Sequence, residues 1–299
     1  MRSYLAQRLF LYHTLACLLL FSAFSHAQAS EQEQQIGLLW KIDKFGYAPS
    51  YLLGTIHSED PRILNLPPKI EKYYKKSKSV TIEVAITLPT LFKSILAMYL
   101  PIGKTLDTMI EPDKYQQLVE ALKEYGIPEI AVKTIKPSAL MMVLSMPKSK
   151  EGQFLDMMLY FNAQAQGKPV YGLETAEEQL AIFDTLNLDE QIILLEETLN
   201  QIKQMPDLLE TMHQLYLKRN LTEIMNFSYN YMSSEKHQKV VDKFMAYIVD
   251  QRNLTMLERM KPRLREGHAF IAVGALHLPG ERGLLKLLEQ EGFRVKSIY

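Results

Sequence analysis

Tyr51-Leu52-Leu53-Gly54-Thr55-Ile56-His57 is an apolar run that ends in glycine, two residues and a histidine. The pattern returns near the other end of the chain, in Phe270-Ile271-Ala272-Val273-Gly274-Ala275-Leu276-His277. Both runs read as strands. In a regular strand Gly54 and His57 would face opposite sides, because side chains alternate with a period of two. The motif therefore suits a strand that is ending, where glycine admits a close backbone approach and the histidine projects from the rim of a sheet. Sheet rims are a common place for ligand sites in α/β folds. Two such rims imply one shared site, with the chain between them building its walls.

Reading outward, Ile36–Ile42 is a strand, Lys44–Ser50 a turn with Gly46 and Pro49, and Tyr51–Ile56 the returning arm of a hairpin. A short basic helix follows Pro67-Pro68. Ser79–Val84 is a further strand, and Pro169–Leu173 another. Helical spacing covers Pro112–Tyr125, Pro137–Met146, Phe154–Gln166, Leu188–Gln204, Asp207–Arg219, Leu221–Tyr231 and Lys236–Leu264, the last broken or capped near Pro262 and Gly267. Pro279–Glu291 reads as a helix and Phe293–Ile298 as a last strand. The fold class is therefore mixed α/β (α+β). Its mixed sheet comes from N- and C-terminal segments and is covered by a large helical middle. The methionine-rich stretches 88–102 and 139–160 read as core; the alternative is an adaptable lid over a peptide groove.

The chain has 299 residues, 47% hydrophobic and 23% charged, enough to bury a sizeable core without cross-links. A formal net charge of zero offers no electrostatic footprint for nucleic acid. Arg2 and Arg8, the apolar run Leu15–Phe24 and the small-x-small Ala27-Gln28-Ala29 mark residues 1–29 as a signal peptide cleaved near Ala29, with an uncleaved anchor as the alternative. Its removal takes away two arginines and no acid, leaving a formal charge of −2 on residues 30–299. That segment is expected to be a single domain with a helical insertion at about 86–166, periplasmic or secreted, with no stable membrane span. The one cysteine, Cys17, lies within the leader, so a metal site in the mature chain must use His, Asp and Glu.

Two imidazoles and a carboxylate form a recurrent hydrolytic metal set with room for water. Glu83 is the first choice of carboxylate, because it sits in a strand beside Val80, Ile82 and Val84; the bland alternative is a strand with Thr81 and Glu83 facing solvent. Glu174 is the second choice, and Glu59 and Asp60 follow His57 in a loop. Any of these acids could instead be a general base. His213, His237 and His268 have no such context and read as ordinary.

These residues resemble the TraB/GumN family, to which the Tiki metalloproteases are similar. The resemblance rests on Tyr51–His57, Glu83 after a strand, Gly172-Leu173-Glu174-Thr175 with Glu178-Gln179, Arg252-Asn253, Val273–Gly280, and Gly283-Leu284 with Leu287-Leu288 and Gly292. It extends from about Leu38 to Val295. It implies an erythromycin esterase/ChaN-like fold and, in the Tiki branch, divalent-metal-dependent peptide cleavage supported by manganese or cobalt, with zinc possible chemically. The positions matching that site are His57, His277 and Glu83. Glu174 and Arg252 match blocks of less settled role, with Arg252 a candidate for steadying an oxyanion. Asp156 fits another block, where a helix-start or packing role competes with catalysis. The expected function is an exported metal-dependent hydrolase, most simply a peptidase acting on a peptide or protein substrate. The alternative is a non-catalytic peptide-binding or pheromone-sequestering protein on the same scaffold.

Overall fold

Six strands form one sheet in the order β4-β3-β5-β2-β1-β6. They are β1 (Leu39–Asp43), β2 (Ser50–Thr55), β3 (Ser79–Val84), β4 (Val170–Glu174), β5 (Ala269–Gly274) and β6 (Arg294–Ser297). A computed structural model describes residues 34–85, 95–148 and 154–299, and Gln35–Tyr299 is one compact unit. The segment read as a signal peptide, the start of the 88–102 stretch and part of the 139–160 stretch lie outside the described residues. No helix among the described residues is long and apolar enough to cross a membrane.

The mixed α/β reading holds. β2, β5, β3 and β4 run parallel, while β1 is antiparallel to both β2 and β6. The sheet does draw mainly on the two ends of the chain, with β4 added at one edge from the middle. β5 lies third in the order and is covered on both faces, which is why it reads Ala-Phe-Ile-Ala-Val without polar alternation. Residues Ala269–Val273 are all fully buried, and Phe270 packs edge-on against Tyr74 at 5.2 Å.

Two apolar cores result. One surrounds the sheet and includes Leu52, Leu53, Val80, Phe270 and Ile271. The other lies among helices and includes Leu118, Leu122, Leu140, Leu144, Leu195 and Phe244. Helices Pro112–Lys123 and Pro137–Ser145 each start with proline in the first turn, where no backbone N–H is needed.

Three helix expectations need correction. Lys236–Leu264 is not one regular helix: Gln238–Met245 passes into a π-helical turn, Ala246–Gln251, before Arg252–Glu266. Pro262 sits inside that last helix without ending it, and Gly267, at φ 71°, closes it. The helix expected from Pro279 begins only at Leu284. Gly280 adopts φ 88°, and a side chain on Gly283 would meet the Pro279 carbonyl at 2.1 Å, so this segment is a tight loop.

Candidate metal centre at the ends of the parallel strands

The four parallel strands bring their C-terminal ends to one edge of the sheet. Thr55 is in register with Gly274 at the ends of β2 and β5, and Val84 with Glu174 at the ends of β3 and β4. His57, Glu83, Glu174 and His277 thus come from four neighbouring strands. β3 and β5 pair from Ser79 and Ala269 as far as Thr81 and Ile271 and then separate. Beyond that point the Glu83 carboxylate takes over, its Oε1 accepting from the Gly274 N–H at 2.6 Å.

The glycines of both motifs have a local reason. A Cβ on Gly54 would come within 3.2 Å of Ala275, which opens the turn carrying His277. One on Gly274 would lie 3.1 Å from Glu83 Oε1 and 3.5 Å from His277 Cδ2. After Gly274 the chain winds into a short 3₁₀ turn, Ala275–His277, which buries the imidazole.

His277 is held by Asn253, which is fully buried. Asn253 Nδ2 donates to the Arg282 carbonyl at 2.8 Å, so its Oδ1 is the atom facing His277 Nδ1, also at 2.8 Å. An acceptor there fixes the proton on Nδ1 and leaves the lone pair on Nε2. That lone pair faces Glu83 Oε1 at 3.9 Å, so two electron-pair donors share one space. Burial holds His277 down, to about 4, and the ring is neutral near pH 7.

The solvent-facing alternative for Glu83 fails: Thr81 is fully buried and the Glu83 side chain is 14% exposed. Burial pushes its carboxyl upward. Arg252, then His277 and the Gly274 N–H, overcome this and hold it at about 2. Arg252 also clamps Glu174, with Nε at 2.9 and 3.1 Å from its two oxygens and Nη2 at 2.7 Å. The same Nη2 pairs with Glu83 Oε2. Gln179 Nε2 donates to both carboxylates, at 3.2 Å to Glu83 and 3.1 Å to Glu174.

His57 stands on the open side, its side chain 60% exposed. Its Nδ1 lies 2.9 Å from Asp156 Oδ2, and Thr55 Oγ1 donates to Asp156 Oδ1 at 2.6 Å. Asp156 pulls the imidazole pKa up, to about 9. Asp156 occupies the first turn of helix Leu155–Ala165, where a carboxylate also suits the helix dipole.

In donor type the set fits a divalent cation: two imidazoles, one carboxylate and outer partners that fix ring orientation. Its ligand atoms do not all lie within 4.8 Å of one another. Among the described residues, the trio that does is Asp60, Glu210 and His213. Arg62 already donates to Asp60 at 3.0 Å and to Glu210 at 2.7 Å, so one of the cluster's two carboxylate charges is offset without a metal. His213, read as ordinary, is 3.7 Å from Asp60 within it. Glu59 belongs to neither group.

Three positioning residues escaped the sequence reading. Asn253 and Gln179 were visible only as neighbours of Arg252 and Glu178, and Thr55 only as a residue inside the first motif. The adjacency of Arg252 and Asn253 is informative in hindsight. Successive helical residues point about 100° apart, so one turn can serve both the carboxylates and His277.

The TraB/PrgY/gumN family profile matches residues 38–297, and the chain belongs to that family. Among individual relatives, metalloprotease TIKI2 of Danio rerio is 24% identical over 318 residues, covering 89% of this chain and 61% of TIKI2. The uncharacterized protein YbaP of Shigella flexneri is 28% identical over 253 residues, covering 81% of this chain and 89% of YbaP. YbaP of Escherichia coli K12 is likewise 28% identical, over 248 residues, covering 80% of this chain and 87% of its own. The chain thus spans less than two thirds of TIKI2 but most of each YbaP. No solved structure matches.

Proposed function

We propose that the chain is an exported metal-dependent peptidase in which His57, His277 and Glu83 hold a divalent ion. The observation that carries this reading is the buried Nε2 of His277, oriented by Asn253 and turned towards the Glu83 carboxylate. Two lone-pair donors facing each other under burial repel unless a cation or proton lies between them. The metalloprotease name of TIKI2 supports the same reading from a distance.

A bound divalent ion would supply Lewis acidity and a water acidified to near neutral pKa. The remaining work falls to the chain. Asn253 presents His277 in one tautomer, and Asp156, braced by Thr55, aligns His57. Arg252 keeps Glu83 ionised and holds both Glu83 and Glu174 in place. Its Nε and Nη2 are committed to those carboxylates, and its Nη1 donates to the Ile248 carbonyl at 3.3 Å. This favours a structural clamp over direct contact with an oxyanion. Manganese, cobalt and zinc are all compatible with the donor set.

The test uses purified protein, a mixed peptide library, and Mn²⁺ with or without chelator. Cleavage should require the metal and vanish in His277→Ala and His57→Ala. Mn²⁺ at a hundred times its Kd should also stabilise the wild type by about 2.7 kcal/mol, with no such gain in His277→Ala. Cleavage indifferent to chelator, or metal stabilisation retained in His277→Ala, would reject the assignment.

A further inference from the structure

A cavity of about 540 Å³ opens beside the strand ends, and His57, Glu83, Asp156 and Arg252 form part of its wall. Elsewhere it is lined by Met98, Met142, Met146, Met157, Phe183 and Phe244, together with aliphatic side chains and Gln179. Met98, Met142, Met146 and Met157 belong to the described parts of the stretches read as core or lid, and they line a hollow that Ile82, Glu83 and Val84 of β3 also border.

Its charge pattern is specific. Among the described residues, the ionisable ones lining it are His57, Glu83, Asp156 and Arg252, and each has a partner: His57 with Asp156, Glu83 with Arg252. A charged ligand group entering the hollow would lose water and find no free counter-charge among the described residues, which is costly. The neighbouring cavity of about 850 Å³ also touches Met146 and carries Glu120, Glu124, Lys148 and Lys203 among apolar residues.

Size and softness narrow the occupant. The volume lies within the range of small-molecule sites, about 300–1,000 Å³, and has room for a large side chain with adjoining backbone. Four thioether side chains can adapt to differently shaped apolar groups. We infer that this cavity is a substrate subsite for one bulky uncharged side chain (aromatic, leucine or methionine) of a peptide whose adjoining amide reaches His57 and Glu83. The assignment rests on the peptidase reading and names its substrate class: peptides with a large apolar residue next to the reacting amide, with no demand for one particular residue.

The test is a series of capped pentapeptides, acetyl-Gly-Gly-X-Gly-Gly-amide, with X as Phe, Leu, Met, Ala, Asp or Lys. Binding is measured calorimetrically with chelator present, and turnover by mass spectrometry with Mn²⁺. Phe, Leu and Met should each bind on the order of tenfold more tightly than Ala, Asp or Lys. Met142→Glu should weaken the Leu peptide and strengthen the Lys peptide; Met146→Glu, at a helix end, serves if Met142→Glu does not fold. Selective binding with no turnover would keep the subsite and reject the peptidase. Turnover without preference for X would do the reverse. Absence of binding by every peptide, or an unchanged order in both glutamate variants, would overturn the subsite.

Discussion

Replacing Asn253 by alanine removes an acceptor from His277 Nδ1 and a donor from the Arg282 carbonyl, both at 2.8 Å. Asn253 and His277 are both buried, so the truncation leaves His277 Nδ1–H without its acceptor in the interior. An unsatisfied buried polar group costs about 1–3 kcal/mol, and the truncation leaves a small void as well. The expected loss of unfolding free energy is about 2–4 kcal/mol. The loss at the site is separable from this. Without its acceptor the ring can rotate or exchange tautomers, and removal of such an outer partner typically costs about 10–100-fold in metal affinity. Asn253→Asp is the informative companion. It keeps an acceptor for Nδ1–H but turns a carboxylate oxygen towards the Arg282 carbonyl, so stability should fall while most Mn²⁺ affinity is retained. Denaturant titration measures the first quantity and calorimetric Mn²⁺ binding the second. Nitrogen-detected NMR of the metal-free protein reports which nitrogen of His277 carries the proton. A folded Asn253→Ala protein with unchanged Mn²⁺ affinity and an unchanged His277 tautomer would refute the reasoning.

Two further outcomes follow from the same geometry. Gly274→Ala places a Cβ 3.1 Å from Glu83 Oε1 at a backbone conformation (φ −52°, ψ 136°) that alanine adopts freely. Thermal stability should change little while Mn²⁺ affinity falls on the order of tenfold; an unaltered affinity would mean that the carboxylate position is not critical. Glu178 is held by Arg259, both oxygens accepting at 2.6 Å, and this pairing lowers its carboxyl from 4.5 to about 2. Its contribution is fully present above pH 4.5 and is lost as pH falls towards 2, so Glu178→Gln should flatten the acid limb of the stability curve in that window. An acid limb identical to wild type would show that this pair does not tune stability.

The elements of the sheet were legible because their signals are local. Short apolar runs marked β2, β3 and β5 to within a residue or two, and the two Gly-x-x-His endings pointed to a common rim. Glu83 was legible as a candidate because a carboxylate amid Val80, Ile82 and Val84 is costly unless partnered. What periodicity could not reveal was its partner. Arg252 lies 169 positions from Glu83, at the first turn of a helix whose own pattern is satisfied with or without that contact. Asn253 carries no signal of its own, since a buried amide and an exposed one are the same letter. The late start of the helix at Leu284 was hidden because Pro279 resembles a first-turn proline, and only the crowding around Gly283 shows that the segment is a loop.

The position of β5 has a consequence for how the protein matures. β2 and β3 follow one another in the chain, yet β5, made nearly last, is wedged between them. Until residues 269–277 have been synthesised and inserted, the earlier strands have no common neighbour. His57 and Glu83 then lack both the backbone N–H of Gly274 and the imidazole of His277. Assembly depends on contacts between distant parts of the chain, which form slowly. A partly synthesised chain therefore lacks the complete set of strand-end side chains, which comes together only when β5 closes the gap.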